Sequence, residues 1–396
     1  MRTTGVISRG ILTPIFKQGD DLVNIVTDCV INSAKEEGFS LQDGDIVGIT
    51  EAVVGRTQGN YATCGQIEAD LRAKFGGEDL GIVFPILSRN RFSVLLKAMA
   101  ASTKKLYVLL SYPGDEVGNE LVSLDTVDEK GVNPYSDSFN ETGFRKVFGY
   151  DTIHPFTGID YIDFYKSFGL NNNIEILFSN DPRYILKYTK HVLCCDIHSR
   201  FRTQRRIKAA DANATVLLMD DILNKSVDGS GYSQYGLLGS NKATEDKVKL
   251  FPRDTQAVVD QVQKELLDRA GKKIEVLVYG DGCFKDPVGG IWELADPVVA
   301  PAYTKGLSGT PNELKIKYIA DNEFAALSGE ALQKALREKI ATKDSSLVGK
   351  MTAEGTTPRQ ISDLVGSLCD LTSGSGDRGT PVILIQNYFK NYASEI

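Results

Sequence analysis

Short apolar runs alternate with amphipathic helical stretches along this chain, and that alternation limits its fold more than any other feature. It is clearest after His191, where an apolar run at 192–197 is followed by a helical stretch at 201–212 and a second apolar run at 215–219. A strand, a helix and a further strand in that order predict a βαβ unit. The sequence therefore predicts a mixed α/β or α+β fold.

The same patterns place further elements. Apolar residues spaced three and four apart predict helices, and short continuous apolar runs predict strands. The predicted helices are 22–34, 92–101, 254–273, 323–340 and 358–371, and the predicted strands are 45–50, 106–110, 274–279, 316–320 and 381–385. The stretch 112–149 is rich in Gly, Asp, Ser and Asn, which predicts loops or a lid.

Size, charge and cysteine content narrow the class of protein. The chain has 396 residues, enough for two or three domains, and 45 Lys and Arg against 52 Asp and Glu. That balance lacks the basic excess typical of nucleic-acid binders. No apolar run approaches the roughly 18–20 residues of a membrane span, and the first residues lack the pattern of a secretory signal. Six cysteines without a C-x-x-C pair indicate reduced thiols. We expect a cytoplasmic enzyme without nucleic-acid or membrane partners.

Acidic residues follow several predicted strands. Asp281 ends one of them between Gly280 and Gly282, and Asp220 with Asp221 ends another. Ligands of open α/β sheets gather at the carboxyl ends of strands, and divalent cations prefer carboxylate oxygens. These three aspartates are therefore the candidate metal ligands. The alternative is that they serve as turn and cap residues, a common role of Asp.

Three glycine-rich stretches are possible phosphate sites. Residues 374–379 match G-x-G-x-x-G but precede a strand, so they fail the context of a dinucleotide-binding loop. Better candidates are the stretch 229–231 and the stretch Gly239, Ser240, Asn241 and Lys242, because short Gly and Ser loops expose backbone N–H groups to anions. An ordinary surface loop is the alternative.

A basic cluster follows the strand at 192–197 and consists of Arg200, Arg202, Arg205, Arg206 and Lys208. Guanidinium groups bind phosphate or carboxylate by paired hydrogen bonds, so the cluster is a candidate clamp. A solvated helix face explains the same residues.

Four segments together resemble a known family. GILTPIFKQGDDL and LQDGDIVGITEAVVGRTQGN are similar to the N-terminal motifs of coenzyme F-420:L-glutamate ligases. GLLGSNKATEDKVKLFPRD and VLVYGDGCFKDPVGG resemble that family's G-x-D-x-S-N loop and its S-D-T/S-F-G-R-P motif. The resemblance covers residues 5–110 and 216–396. It implies a ligase-like core over 1–110 and 216–396, with an inserted α/β lobe at 111–215.

The resemblance also implies a function. It indicates a ligase that uses GTP and Mn²⁺ or Mg²⁺ to attach L-glutamate to a carboxylate acceptor through an acyl phosphate, in a homodimer. Carried over to this chain, Asp281 is a metal ligand, and Thr50, Gly239, Ser240 and Asn241 bind the nucleotide. Arg56 takes the place of a family lysine, and it is assigned a catalytic role with Lys242.

Three departures from the family pattern leave alternatives open. The family's second metal-ligating Asp falls on Leu238, the residue after Asp281 is Gly282, and the G-R-P triplet is replaced at 285–287. Either another acid replaces the lost ligand (Asp220, Asp221, Glu245 or Asp246), or the metal chemistry differs. A metal-dependent phosphotransferase or hydrolase and a non-catalytic nucleotide-binding scaffold are the competing functions.

Overall fold

The computed structural model describes residues 3–89, 91–150, 152–154, 158–281, 298–354, 360–373 and 376–394. The chain divides into two compact units: unit 1 is Met1–Thr57 with Asp254–Ile396, and unit 2 is Gln58–Arg253. These boundaries differ from the predicted ones at 110 and 216. The reason is that the strand at 80–83 pairs with strands at 106–110 and 191–194, so residues on both sides of position 110 share one sheet. That 111–215 is an insertion relative to the family stays a prediction.

The described residues form strands and helices with the following bounds. The strands are β1 (Ile7–Ile11), β2 (Ile46–Thr50), β3 (Tyr61–Thr63), β4 (Leu80–Val83), β5 (Leu106–Leu110), β6 (Phe139–Asn140), β7 (Ile174–Phe178), β8 (His191–Cys194), β9 (Thr215–Leu218), β10 (Asn241–Thr244), β11 (Lys247–Lys249), β12 (Glu275–Asp281), β13 (Val298–Tyr303) and β14 (Val382–Gln386). The α-helices are α1 (Leu22–Glu36), α2 (Glu51–Thr57), α3 (Cys64–Phe75), α4 (Phe92–Ser102), α5 (Leu124–Glu129), α6 (Glu141–Phe148), α7 (Tyr161–Lys166), α8 (Arg200–Ala210), α9 (Thr255–Ala270), α10 (Ile316–Asn322), α11 (Gly329–Ala341) and α12 (Ile361–Ser373).

Unit 1 is built on a five-stranded sheet with the order β1-β14-β2-β12-β13. β2 and β12 run parallel, and the other neighbours are antiparallel. Side chains of a strand alternate between the two faces of its sheet. Accordingly, Val276 and Val278 pack in a cluster with α1 and α9, whereas Leu277 and Tyr279 pack with α12. Helices therefore cover both faces, which confirms the predicted mixed α/β content.

Unit 2 is built on a six-stranded sheet with the order β6-β7-β5-β4-β8-β9, and β10-β11-β3 form a separate small sheet. In the larger sheet only β6 is antiparallel to its neighbour. Across the sheet, the five parallel strands lie in the order β7-β5-β4-β8-β9. If these five strands are numbered by their order in the chain, this spatial order is 3-2-1-4-5. This is a doubly wound order, in which the connections change direction between β4 and β8. Within the described residues, no helix has both the length and the apolar character that crossing a bilayer demands.

Two predictions near the C-terminal end are wrong. The predicted strand 316–320 is the helix α10, because a short apolar run does not by itself distinguish a strand from a helix. Of its residues only Ile319 is fully buried. The predicted helix 323–340 begins later, as α11, since the backbone at Gly329 has φ +56° and interrupts helical geometry.

The predicted loop at 112–149 also contains regular structure, namely α5, β6 and α6. The side chains of Ser123 and Asn140 accept hydrogen bonds from the N–H groups of Thr126 (3.1 Å) and Gly143 (2.8 Å), and so cap two of these helices. In α6 the rings of residues 144 and 148, one turn apart, are buried. Composition predicted turns here because capping residues and turn residues are the same types.

Candidate functional site

Two parallel strands of unit 1 end side by side. Thr50 at the end of β2 lies opposite Tyr279 of β12, which continues to Asp281. Carboxyl ends of neighbouring parallel strands share one edge of a sheet, where ligands of such sheets bind. We call this the β2–β12 edge, defined by Thr50, Glu51, Gly280 and Asp281. The structure thus brings the backbones of two predicted site residues to one edge, and their roles stay predictions.

The segment GILTPIFKQGDDL reaches the same edge. Ile11, the last residue of β1, lies level with the end of β2 through the intervening β14. Beyond it, the Thr13 N–H donates to the Gly379 carbonyl (3.3 Å), and the Gly19 N–H donates to the Thr57 carbonyl (2.9 Å). Two of the segments that carry the family resemblance therefore meet between β1 and the end of α2.

Glu51 is a functional candidate that the sequence reasoning missed. It follows Thr50 directly, is the first residue of α2 and is only 4% exposed. A Cβ atom on Gly280 would collide with the Glu51 side chain, so this carboxylate-bearing side chain lies directly over the end of β12. The signal that could have found it is an acid immediately after a strand, the pattern already noted for Asp281.

Arg56 lies exposed near the C-terminal end of α2, the helix that starts directly after Thr50. The Thr57 hydroxyl donates to the Val54 carbonyl (3.0 Å), which closes the last turn of this helix. The helix therefore begins at the β2–β12 edge and places a guanidinium group on its surface. The catalytic role of Arg56 stays a prediction.

The acids of the D-G-D segment serve the fold. The Lys273 N–H donates to an Asp43 carboxylate oxygen (2.7 Å). The Asp45 carboxylate accepts from the Gln42 N–H and from the Gln386 amide, both at 2.8 Å. Burial raises the pKa of Asp45 above its ordinary value. These residues join the start of β2 to neighbouring segments, at the opposite end of the strand from Thr50.

In unit 2, the turn that holds Asp220 and Asp221 packs against the loop that starts at Gly236. The Leu237 N–H donates to the Met219 carbonyl (3.0 Å). A Cβ on Gly236 would lie 2.5 Å from the same carbonyl oxygen. The structure therefore brings these two predicted aspartates to the backbone of the glycine-rich loop.

Both aspartates are engaged within the protein. The Asp221 carboxylate accepts from the Leu218 N–H (2.8 Å), and the Asp221 carbonyl accepts from the Lys74 ammonium (2.7 Å). An Asp220 carboxylate oxygen lies 3.4 Å from the Arg200 Nε. Asp221, which caps the turn, therefore fits a divalent cation poorly, whereas Asp220 Oδ1 is buried without a hydrogen-bond partner in the described residues and stays a metal candidate.

The glycine-rich loop has one orphaned polar atom. Gly239 has φ +68°, and a Cβ there would collide with the Phe251 ring. Ser240 is 3% exposed, and within the described part of the chain its hydroxyl has no hydrogen-bond partner. A buried hydroxyl without a partner is uncommon and calls for a water or a ligand. Ser240 thus keeps the standing of a binding candidate.

The residues after Ser240 enter a strand. Asn241 begins β10 opposite Lys249, and Lys242 follows opposite Val248. The Lys242 ammonium lies 2.5 Å from a Glu245 carboxylate oxygen. A ligand phosphate would therefore have to compete with Glu245 for this cation.

Where the family has its second metal-ligating Asp, this chain has an apolar residue in apolar surroundings. Leu238 packs against the main hydrophobic core of unit 2. Of its possible replacements, Glu245 pairs with Lys242, and Asp246 pairs with Lys97 (3.1 Å), whose hydrogen bond lowers the pKa of Asp246. Among the residues that the structure describes, no group of three or more His, Cys, Asp or Glu is arranged to hold a metal.

The basic cluster does not form a single clamp. Thr203 and Ile207 are the buried residues of α8, so its basic residues point around the remaining surface. Arg200 faces Asp220, and Arg206 lies 3.1 Å from Asp181. These basic residues are thus distributed between separate contacts and the exposed side of the helix.

The predicted site residues fall in both units. Thr50, Arg56 and Asp281 belong to unit 1, and Asp220, Asp221 and residues 239–242 belong to unit 2. The motif residues 282–290 after Asp281, including Gly282 and 284–287, lie outside the described residues, and so does the Asp281 side chain.

Comparison with known proteins gives one finding. Residues 10–387 match the family model described as F420-0:gamma-glutamyl ligase. A search of curated proteins finds no match.

Proposed function

The chain belongs to the F420-0:gamma-glutamyl ligase family, and on that premise we propose that it is a GTP- and metal-dependent ligase. In the proposed reaction the acceptor carboxylate attacks the γ-phosphorus of GTP, which forms an acyl phosphate and releases GDP. The amine of L-glutamate then attacks the acyl carbon, the C–O bond to phosphate breaks, and the nitrogen loses a proton as the amide forms. The acceptor is F420-0 or a similar carboxylate.

The observation that carries the proposal is the meeting of family-like segments at the β2–β12 edge. Three separate segments of the chain (the stretch after β1, the start of α2 and, far along the sequence, the end of β12) converge at one edge of one sheet. Phosphoryl transfer depends on positioning and charge neutralisation, and a rigid sheet edge provides fixed positions for both.

We propose that Asp281 and Glu51 supply carboxylate oxygens to the metal. Their backbones lie on adjacent strand ends, and the Glu51 side chain covers Gly280, the neighbour of Asp281. Mg²⁺ or Mn²⁺ bound at phosphates needs one or two protein carboxylates, and such an ion neutralises phosphate charge. Glu51 would then supply the second carboxylate in a chain that has Leu238 where the family has an Asp.

The remaining roles are assigned by chemistry. The Thr50 hydroxyl, at the end of β2, and the Arg56 guanidinium, on the helix that follows, would contact phosphate oxygens. In unit 2, the Ser240 hydroxyl and the N–H groups of Gly239 and Asn241 would bind the nucleotide, and Lys242 would leave Glu245 to meet a phosphate. A homodimer, implied by the resemblance, and a cytoplasmic location, indicated by the cysteine pattern, are also proposals.

The decisive experiment is an assay of phosphate release with F420-0 as acceptor. We expect release that depends on L-glutamate, on one nucleoside triphosphate and on Mn²⁺ or Mg²⁺. Asp281→Asn should abolish it, while Asp268→Asn, on the exposed side of α9, should leave it unchanged. Full activity of Asp281→Asn would overturn the metal assignment, and no glutamate-dependent release with either GTP or ATP would overturn the ligase proposal.

The apolar side chain at Leu238, partly buried against the core of unit 2, favours a second candidate, a nucleotide-binding protein without turnover. An apolar side chain offers no oxygen to a metal at the position where the family has a carboxylate. A thermal-shift series with GTP, ATP, GDP and ADP, each with metal or chelator, separates the two. A ligand at 100 times its dissociation constant stabilises a protein by about 2.7 kcal/mol, which such a series detects. Binding without phosphate release would select this candidate.

A further inference from the structure

Unit 2 has a crossing point that the proposed ligase chemistry does not use. β4 and β8 are parallel neighbours, and the chain proceeds from them in opposite directions across the sheet. In open α/β sheets the carboxyl ends of two such strands leave a crevice that binds small molecules. We call this place the β4–β8 crossing, defined by the loops 84–89 and 195–199 and by the two acids that reach them.

Two consecutive acids from the loop after β5 reach both of these loops. The Asp115 carboxylate accepts from the Leu87 N–H (2.8 Å), in the loop after β4. The Glu116 carboxylate accepts from the N–H groups of Ile197 and His198, the latter at 3.2 Å, in the loop after β8. The backbone donors at this crossing are thus already occupied by protein carboxylates, which disfavours a phosphate or another anion there.

A third carboxylate lies directly beside them. Asp196 follows β8 and has no exposed surface. Its Oδ2 accepts from the hydroxyls of Ser199 and Thr203 of the α8 region, both at 2.7 Å. Its Oδ1 is buried and has no hydrogen-bond partner within the described residues. This oxygen is therefore the one that remains for a group entering at the end of β8.

The charge at the crossing is not balanced. Burial, helped by the neighbouring Asp196 and Asp115 carboxylates and opposed by the two N–H bonds, raises the pKa of Glu116 to about 7. Burial also raises the pKa of Asp196. The cation nearest in the chain, Arg200, faces Asp220 and donates to the Ile197 carbonyl. Arg200 opposes this rise for Asp196, but its guanidinium group is shared with Asp220 and the Ile197 carbonyl. The carboxylates are therefore only partly neutralised, and a positive ligand would relieve this arrangement.

We propose that the β4–β8 crossing binds a small molecule through a protonated primary amine, which donates hydrogen bonds to Asp196 Oδ1 and to the Glu116 carboxylate. An ammonium group has three donors and no acceptor, which matches a buried orphan oxygen beside a second carboxylate. A bare metal ion fits less well, since no metal-holding group is found among the described residues. The site goes beyond the ligase proposal, which only suggests L-glutamate as the first probe.

The test is a calorimetric titration of the full chain at about pH 8, where both carboxyl groups are ionised to a larger extent. The probes are L-glutamate, N-acetyl-L-glutamate and methylammonium. We expect saturable binding of a probe with a free amine and at least about tenfold weaker binding of the acetylated one. Asp196→Asn and Glu116→Gln should each weaken binding by about 10- to 100-fold, the range for a charge-assisted hydrogen bond.

Glu120→Gln, an exposed acid of the same loop, is the matched control and should bind as wild type does. Circular dichroism and thermal unfolding verify that each variant is folded, and Glu116→Gln keeps the test valid if Asp196→Asn is not. Binding of neither amine, equal binding of N-acetyl-L-glutamate, or unchanged affinity in folded variants would overturn the proposal. Amine binding that depends on Asp196 in a protein without phosphate release would uphold it while the ligase proposal fails.

Discussion

The side chain of Glu51 lies directly over Gly280 of the neighbouring strand, so closely that position 280 has no room for a Cβ atom. Glu51 starts a helix at the end of β2, and Gly280 precedes Asp281 in β12. The pair therefore joins two strand ends that lie far apart in the chain. An acid and a glycine in this relation allow a carboxylate to approach the next strand's backbone, where the proposed metal would bind.

Replacing this glycine tests the relation. Gly280→Ala should lower the free energy of unfolding by about 1–3 kcal/mol, because the added methyl group must displace Glu51. We also expect a loss of glutamate-dependent phosphate release. Gly5→Ala, where a Cβ meets nothing within 4 Å, is the control and should change stability by less than about 0.5 kcal/mol. Equal stability of the two variants in urea unfolding would contradict this packing.

Substitutions at a second pair of glycines distinguish the cost of a steric collision from the cost of a positive φ angle. Gly236 and Gly229 both have positive φ, but only at Gly236 would a Cβ meet carbonyl oxygens, those of Met219 and Ile222 at 2.5 Å. Gly236→Ala should therefore cost about 1–3 kcal/mol more than Gly229→Ala. Urea unfolding measures both, and nucleotide-dependent thermal shifts should be lost only in Gly236→Ala. An equal loss of unfolding free energy in both variants would show that the 219–222 turn moves to accommodate the added methyl group.

Replacing Asn60 should lower the free energy of unfolding by more than the loss of its few side-chain atoms alone would. It is fully buried, its amide donates to the Phe251 carbonyl (2.7 Å), and its oxygen accepts from the Tyr232 N–H and the Arg253 guanidinium. Asn60→Ala leaves these groups without partners, which should cost about 1–3 kcal/mol. Chemical denaturation is the measurement, with the exposed Asn213→Ala as control. A loss no larger than in the control would mean that water replaces the amide.

The Glu116 carboxyl predicts a pH dependence of stability. Its pKa is raised from 4.5 to about 7, so between these values the folded protein binds more protons than the unfolded chain. Its contribution to stability is therefore lost as the pH rises through this window, by at most about 1.4 kcal/mol per pH unit. Urea unfolding across the window should show a steeper fall of stability in wild type than in Glu116→Gln, which keeps only the contributions of other acids such as Asp45 and Asp196. Glu120→Gln should keep the wild-type slope, and an unchanged slope in Glu116→Gln would assign the effect to another group.

Local pattern predicted much of the secondary structure. The strand 106–110 is confirmed in full, and the helices predicted at 92–101 and from residue 22 differ from the structure only at their ends. These segments have a strong apolar period that one face of the fold satisfies. The prediction at 316–320 is wrong because only a single residue of this run is buried, so its apolar residues do not mark one buried face of a strand or a helix.

The residues of the candidate site also fall into two groups: those that residue order indicates, and those that only burial and distant contacts distinguish. The acids after strands, the glycine-rich loop and the family-like segments could be read from residue order alone. Residue order does not indicate Glu51, and it shows Asp196 only as one of several acids at strand ends, because the property that distinguishes both is burial. Glu116 lay in a stretch predicted as loop, and its importance depends on the Ile197 and His198 N–H groups that it meets.

Residue order by itself determined which short segments form strands and helices and which side chains follow each strand, since both depend on neighbours a few positions apart. Tertiary structure alone decided that β2 ends beside β12, that β4 lies between β5 and β8, and that the units divide at 57 and 253. Strand order and burial depend on hydrogen bonds and packing between residues far apart in the chain. The same distant contacts set the charge balance at Asp196, which no local pattern contains.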